Sequence, residues 1–170
     1  GEHNLANVLA ATLAALAAGA KPGHIRQSVA KFKGLPDRLE LVRKFKGLNF
    51  YNDTTATTAE GTLAAIKSFP SKSVFLIAGG AEKNLPFDSL VQSIVANVRC
   101  LVLFKHEAYN ASQRIADEIA KINPDYPIFW ALSMAEALTL AVSQAAKGDN
   151  VVMSPACASF GLFRNEFDRG

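Results

Sequence analysis

The second part of the chain repeats one pattern, in which a helical segment is followed by a short, continuous apolar run. The apolar runs are SVFLIAGG, CLVLF, YPIFWA and NVVMS, and helices are predicted ahead of them over residues 59–69, 87–95, 108–122 and 134–146. Apolar runs without alternation are typical of parallel strands whose two faces are both covered by helices. Since such strands are joined by right-handed crossovers, the pattern predicts a doubly wound, mostly parallel α/β sheet of the Rossmann-like type.

The first residues of the chain follow a helical pattern instead. Residues 4–19 are rich in Ala and Leu, with Asn4 as a candidate N-cap and Gly19 as the residue that ends the helix. A second helix is predicted to start just after Lys21-Pro22-Gly23 and to end before Gly34.

A β-hairpin is predicted at the start of the α/β region. Residues 38–45 (RLELVRKF) alternate polar and apolar side chains, Lys46-Gly47 is a turn sequence, and residues 48–51 resume a strand. We therefore expect two parts in the chain: residues 1–34 as a helical fragment of another domain, and residues 35–170 as one α/β domain that begins with this hairpin.

Length and composition exclude several classes of protein. The 170 residues carry a formal net charge of +3, with Lys and Arg spread along the chain, so a nucleic-acid partner is not expected. The apolar run LANVLAATLAALAAGA is dominated by Ala and is shorter than the roughly 20 residues that span a bilayer, and no basic segment precedes it. Two Cys are too few for a disulfide framework. We expect a cytoplasmic protein without membrane contact, and a monomer.

Loops that bind anions are predicted at the ends of the strands. In an open parallel sheet, ligands bind outside the carboxyl ends of the strands, which here are followed by NDTTATT, GGAEKN, the loop after Phe104 and SPACASFG. All but the loop after Phe104 offer an ammonium group or hydroxyls, from Thr54, Thr55, Thr57, Thr58, Lys83, Ser154 and Ser159. One Lys among several hydroxyls predicts a small carboxylate or phosphate ligand. Taken singly, the Thr and Ser residues fit helix N-caps equally well. The pair Gly79-Gly80 fits a role in backbone conformation alone.

Other kinds of site lack their sequence signals. No loop has the Gly-x-Gly-x-x-Gly spacing of a dinucleotide site or the Gly-x-x-x-x-Gly-Lys-Ser/Thr sequence of a phosphate loop. His3, His24 and His106 are far apart in the sequence, and the Cys residues have no metal-ligand spacing, so no metal site is expected. Cys157 has no identifiable base beside it, which favours a buried structural Cys over a nucleophile.

Taken together, five motifs resemble those of the Mur ligases over essentially the whole chain: GEHNLAN, GLPDRLE, YNDTTATT, IAGGAEK and SPACASF. The resemblance implies that residues 1–34 are the last helices of a central ATPase domain and that residues 35–170 are the C-terminal, amino-acid-binding domain. It also implies an ATP-dependent, amide-forming ligase of peptidoglycan synthesis, which adds D-glutamate to UDP-N-acetylmuramoyl-L-alanine. The phosphate loop, the Mg²⁺ ligands and a modified lysine would lie upstream of Gly1, so the chain is expected to need the upstream domains of the same enzyme and to be inactive alone.

The resemblance also assigns roles to residues whose motifs match. At D-glutamate it places Thr57, Lys83, Ser159 and Phe160. At the nucleotide it places Asn4, Asn7, Arg38 and Asp53. Asp53 would accept a hydrogen bond from a ribose hydroxyl or orient Arg38. No complete catalytic set and no metal ligand is assigned to this chain.

Two positions depart from the family motifs at the amino-acid site. Thr55 stands where the usual Asp-Ser-Lys-Ala-Thr-Asn has lysine. Glu166 stands where Asn-Phe-Glu-x-Arg-Gly has an aromatic residue, so that the aromatic is displaced by one position. Two alternatives therefore stay open: a sister Mur ligase or folylpolyglutamate-type ligase that adds another amino acid, and a stand-alone Rossmann-like binding module.

Overall fold

The computed structural model describes residues 2–81, 83–107 and 110–170, with only the backbone described for residues 2–4. The chain divides into two compact units, Gly1–Leu35 and Pro36–Gly170. The first unit is helical, and the second contains the sheet.

The first unit consists of helices α1 (Glu2–Ala17) and α2 (Pro22–Lys31). α1 ends as predicted, because Gly19 has φ +86° and its N–H donates to the Leu16 carbonyl at 2.9 Å, an arrangement that satisfies the last carbonyls of a helix. The predicted N-cap is wrong, because residues 2 and 3 already have helical backbone and Asn4 lies inside the helix. Of the helices among the described residues, none has the length and hydropathy that a bilayer span requires.

The second unit alternates strands and helices, close to the predicted bounds. Its elements are β1 (Glu40–Phe45), β2 (Leu48–Asn52), α3 (Ala59–Ile66), β3 (Val74–Ala78), α4 (Asp88–Asn97), β4 (Val98–Phe104), α5 (Asn110–Ile122), β5 (Ile128–Ala131), α6 (Met134–Gln144), β6 (Asn150–Met153) and α7 (Glu166–Arg169). The first two residues of the helix predicted over 108–122 lie outside the described residues. The short helix α7 was not predicted.

The strands form one six-stranded sheet in the order β1-β2-β6-β3-β4-β5. β1 and β2 are antiparallel and form the predicted hairpin, and the other neighbouring pairs are parallel. Lys46 and Gly47 both have positive φ, 50° and 81°, as a two-residue hairpin turn requires. The predicted mostly parallel sheet with a hairpin at its start is confirmed.

Helices cover both faces of the sheet, which confirms the doubly wound interpretation. α3, α4 and α5 contribute to a buried cluster on one face, and α6 contributes to a second cluster on the other face. Successive residues of β3 belong to different clusters: Leu76 to the first and Ile77 to the second, each 0% exposed. Because both faces of such a strand are buried, every position is apolar, and this produces the continuous apolar runs of the sequence.

The sheet order decides which strand-end loops are neighbours. β6 lies between β2 and β3 and is parallel to both, so the carboxyl ends of these three strands point to one edge of the sheet, side by side. The loops that follow them are the three that the sequence predicts to be rich in anion-binding groups.

Candidate functional site at the strand ends

The loop after β6 is hydrogen-bonded to the loops after both of its neighbouring strands. On one side, the Ala156 N–H donates to the Ala56 carbonyl at 3.0 Å. On the other side, the Ala81 N–H donates to the Ala158 carbonyl at 2.9 Å, and these two residues form an isolated antiparallel bridge. The three loops are therefore held together by backbone contacts at the edge where an α/β sheet binds its ligands.

Three of the residues predicted at D-glutamate lie within two positions of these hydrogen bonds: Thr57, Ser159 and Lys83. Lys83 is exposed, Thr57 is half-buried, and Ser159 is only 2% exposed. Among the described residues, none forms an ion pair or hydrogen bond with the Lys83 ammonium group. The fourth predicted residue, Phe160, follows Ser159 and has an exposed side chain. Lys83 thus lies on a loop that is hydrogen-bonded to the loop that carries Ser159, and the latter loop is hydrogen-bonded to the loop that carries Thr57.

Glycines allow the loop after β3 to approach the loop after β6. The Gly79 N–H donates to the Pro155 carbonyl at 2.9 Å, with Gly79 at φ +102°. A Cβ at Gly80 would overlap the Ala158 carbonyl oxygen and would lie 2.9 Å from the Cβ of Cys157. The Gly pair therefore has the backbone role that was one of the two interpretations of this motif.

Several hydroxyls predicted to face a ligand are bound within the protein instead. Thr54 is fully buried and donates to the Glu166 carbonyl at 2.5 Å, and Thr58 caps α3 by accepting from the Gly61 N–H at 3.4 Å. Thr55 and Ser154 are also engaged, as described below. The N-cap interpretation is thereby confirmed for Thr58, while ligand contact by Thr54, Thr55 and Ser154 stays a prediction.

Asp53, the first residue after β2, is a buried anchor that is 4% exposed. Its Oδ1 accepts from the Leu39 N–H at 2.9 Å, and its Oδ2 accepts from the Ser154 hydroxyl at 2.6 Å. The Ser154 hydroxyl also shares a hydrogen bond of 2.9 Å with Thr62 of α3. The Leu39 contact attaches Asp53 to the segment that carries Arg38, and both roles predicted for Asp53 stay predictions.

Arg38 is exposed between two residues with left-handed backbone, Asp37 at φ 60° and Leu39 at φ 48°. Non-glycine residues in this region are strained, and the strain persists only where surrounding contacts hold it, often at functional sites. In the part of the chain that the structure describes, no carboxylate pairs with the Arg38 guanidinium. The segment therefore presents an exposed guanidinium, a group suited to an anionic ligand.

The two other residues predicted at the nucleotide belong to α1 of the first unit. Asn7 is exposed on this helix. The side chain of Asn4 lies outside the described part of the chain. Both roles stay predictions.

Arg169 was not predicted as a site residue, although it is 2% exposed. Its guanidinium donates to the Thr54 carbonyl at 2.9 Å, the Thr54 hydroxyl at 3.1 Å and the Cys157 carbonyl at 3.2 Å. It thereby joins the loop after β2 to the loop after β6. The sequence does contain a signal for this residue, because its terminal Arg-Gly agrees with the family motif Asn-Phe-Glu-x-Arg-Gly.

Both Cys residues are buried and neither forms a disulfide, and the burial of Cys157 agrees with its interpretation as a structural Cys. Burial raises the pKa of the Cys100 thiol to about 11. A thiol with such a pKa is almost entirely protonated near neutral pH and is a poor nucleophile.

A cavity of about 660 Å³ lies between α6 and the hairpin, and Arg169 is among the residues that line it. Its walls are mainly apolar, with Val42, Phe45, Phe50, Leu138 and Val142 among them. None of the described residues that line it is a predicted site residue. Apolar walls do not suit a dicarboxylate or a nucleotide phosphate, so the strand-end loops are the better candidate site.

A family model described as "Mur ligase, glutamate ligase domain" matches residues 37–157. The match runs from the segment that carries Arg38 into the loop after β6 and ends before Ser159. The chain belongs to the Mur ligase family. The resemblance seen in the sequence motifs is thereby confirmed at the level of the family.

Curated relatives of this Mur ligase chain include two UDP-N-acetylmuramoylalanine–D-glutamate ligases. The one from Roseiflexus sp. (strain RS-1) is 44% identical over 171 residues, and the one from Symbiobacterium thermophilum is 41% identical over 170 residues. Each alignment covers 100% of this chain, which spans only 36% of the length of the relative.

Solved structures of related ligases share the fold of this Mur ligase chain. MurF from Acinetobacter baumannii has a TM-score of 0.63 at 20% identity, covering 90% of this chain and 34% of that one. Folylpolyglutamate synthase from Mycobacterium tuberculosis, complexed with ADP and AMPPCP, has a TM-score of 0.62 at 15% identity, covering 82% and 34%. At these identities the likeness establishes the fold.

Proposed function

We propose that this chain is the amino-acid-binding part of an ATP-dependent ligase that adds D-glutamate to UDP-N-acetylmuramoyl-L-alanine in cytoplasmic peptidoglycan synthesis. The observation that carries the proposal is the set of three hydrogen-bonded loops, which brings Thr57, Lys83 and Ser159 to one edge of the sheet. The names of the most similar relatives support D-glutamate as the amino acid. Residues 35–170 would be the C-terminal domain of that enzyme, and residues 1–34 the last helices of its ATPase domain.

The proposed reaction requires an amine held beside an activated carboxyl group. ATP would convert the alanine carboxylate into an acyl phosphate, and the amino group of D-glutamate would attack the carbonyl carbon and displace phosphate. Because the amine must stay neutral and free to react, the two carboxylates are the groups by which D-glutamate is held. Lys83 supplies charge to a carboxylate, while the Thr57 and Ser159 hydroxyls and the Phe160 backbone supply direction.

The nucleotide contacts form a separate part of the proposal. Arg38 contacts a phosphate or the ribose of ATP, and Asp53 holds the backbone beside it through the Leu39 N–H. In the first unit, Asn4 and Asn7 are proposed nucleotide contacts as well. The family resemblance assigns the Mg²⁺ ligands to upstream parts of the enzyme.

A ligation assay with the full-length enzyme that contains this chain tests the proposed amino acid. The enzyme receives ATP, Mg²⁺ and UDP-N-acetylmuramoyl-L-alanine, together with D-glutamate, L-glutamate, L-alanine or meso-diaminopimelate, and the amide product is measured. We expect product with D-glutamate alone. Preference for another amino acid would indicate a sister ligase. Absence of ligation, in a reading frame without an upstream phosphate loop, would indicate a stand-alone binding module.

A further inference from the structure

The segment that carries Arg38 is attached on both sides to the end of β2 and the loop that follows. Ahead of Arg38, the Asn52 side-chain amide donates to the Asp37 carboxylate at 2.8 Å. Behind it, the Leu39 N–H donates to Asp53 at 2.9 Å. These contacts hold the two left-handed residues on either side of Arg38 and so determine the direction in which its side chain leaves the backbone.

Thr55 makes two further contacts to this segment, both to the Asp37 carbonyl oxygen. Its hydroxyl donates at 2.9 Å, and its backbone N–H lies at 3.3 Å from the same oxygen. The Asp37 carbonyl belongs to the peptide group that leads directly into Arg38. Thr55 therefore restrains the peptide plane from which the Arg38 backbone continues.

We propose that Thr55 is a positioning residue, which acts through the Asp37 carbonyl to hold the Arg38 guanidinium at the nucleotide. The proposal rests on the proposed function, since it takes the nucleotide to be the ligand of Arg38. It changes the expected consequence of the departure at position 55. Where the family motif has a lysine, this chain uses a hydroxyl that faces the Arg38 segment, so a substitution of Thr55 should affect ATP and not D-glutamate.

The test is a set of variants in the full-length enzyme, measured by the KM values for ATP and for D-glutamate. Thr55→Val keeps the branched shape and the backbone N–H and removes only the hydroxyl. We expect it to raise the KM for ATP roughly three- to tenfold, the range for one lost hydrogen bond, with kcat and the KM for D-glutamate within about twofold of wild type. Thr55→Ser, which keeps the hydroxyl, should have a KM for ATP close to that of the wild type.

A matched control is Thr139→Val, which removes a hydroxyl that donates to the Ala135 carbonyl at 2.8 Å on α6. This variant should leave both KM values unchanged. In the Arg38→Ala background, Thr55→Val should add no further increase in the KM for ATP, because a positioning residue has no effect once the group that it positions is absent.

Three results would overturn the inference. They are a rise in the KM for D-glutamate in Thr55→Val, increases in the KM for ATP that multiply when Thr55→Val and Arg38→Ala are combined, and a Thr55→Ser variant as impaired as Thr55→Val. Hydrogen exchange of the amides of residues 37–41 separates this inference from the proposed function. Faster exchange in Thr55→Val would support the restraint of the Arg38 segment by Thr55. If the Arg38→Ala variant then has a normal KM for ATP, the nucleotide role of Arg38 is refuted while that restraint stands. Unchanged exchange in Thr55→Val would refute the restraint itself.

Discussion

Replacing Gly80 with Ala is expected to force the loop after β3 away from the loop after β6. The added Cβ would overlap the Ala158 carbonyl oxygen and lie 2.9 Å from the Cβ of Cys157, whereas carbon atoms in ordinary contact are about 3.5–4.0 Å apart. Both obstacles are fixed to the backbone, so rotation of a side chain cannot relieve them. The loops must separate by about 1 Å, which would break the 2.9 Å hydrogen bond from Ala81 to Ala158.

The expected loss follows from these two effects. Overpacking of a closely packed position costs about 1–3 kcal/mol, and the lost backbone hydrogen bond adds about 1 kcal/mol. Gly80 does not have left-handed backbone, so conformational strain of the new Ala adds nothing. The free energy of unfolding of the second unit should therefore fall by roughly 2–4 kcal/mol.

Urea unfolding can be followed by the fluorescence of Trp130, the single Trp of the chain, which lies in β5. Gly148→Ala is the control, because a Cβ there meets nothing within 4 Å while φ is +98°. Its free energy of unfolding should fall by only roughly 1–2 kcal/mol, because Ala is strained in left-handed backbone, and its KM for D-glutamate should stay unchanged.

In the full-length enzyme, Gly80→Ala should also raise the KM for D-glutamate, since Lys83 and Ser159 lie on the two loops that move apart. The reasoning is refuted if Gly80→Ala is no less stable than Gly148→Ala and binds D-glutamate as the wild type does.

Two further substitutions test contacts around the site, and a third tests the raised pKa of Cys100. Arg169→Met should lower the free energy of unfolding by about 2–4 kcal/mol in urea, because buried carbonyls lose their donor, and an unchanged value would contradict its linking role. Ser154→Ala should cost about 1.5–3 kcal/mol in the same assay, because the buried Asp53 carboxylate loses a charge-assisted hydrogen bond, and a loss below 0.5 kcal/mol would argue against that bond. Burial raises the Cys100 pKa from 9.0 to about 11, so the stability that depends on the protonated thiol is complete below pH 9 and is lost as the pH rises to 11. Cys100→Ala should therefore lose less stability than wild type between pH 8 and pH 11, and equal losses would contradict the raised pKa.

The architecture could be predicted because burial on two faces leaves a direct trace in the sequence. Strands such as β3 are apolar at every position, and the intervening helices separate them clearly. The start of a helix is less clearly marked in the sequence. Asn is a residue type that often caps helices, yet α1 already includes the residues before Asn4. A four-residue helix such as α7 has no periodicity from which to predict it.

The close association of the three strand-end loops could be predicted, but the hydrogen-bond partner of each hydroxyl could not. Strand ends mark the ligand edge of a parallel sheet, and of the four loops that this rule selects, the three with an ammonium group or hydroxyls are hydrogen-bonded to one another. Whether a hydroxyl faces outward depends on which backbone groups come within 3 Å after folding. Thr55 meets Asp37, and Ser154 meets Asp53, across sequence separations of 18 and 101 residues that no local pattern encodes. The burial of Arg169 arises in the same way.

The central claim is that the loops after β2, β6 and β3 hold D-glutamate through Lys83. The most direct measurement is the KM for D-glutamate of the full-length enzyme with Lys83→Ala, compared with Lys105→Ala. Both lysines are exposed in strand-end loops, but Lys105 follows β4, whose loop is outside the predicted site. Loss of a charge-assisted contact predicts a rise of roughly 10- to 150-fold for Lys83→Ala and no change for Lys105→Ala. An unchanged KM for Lys83→Ala, or an equal rise in both variants, would contradict the claim.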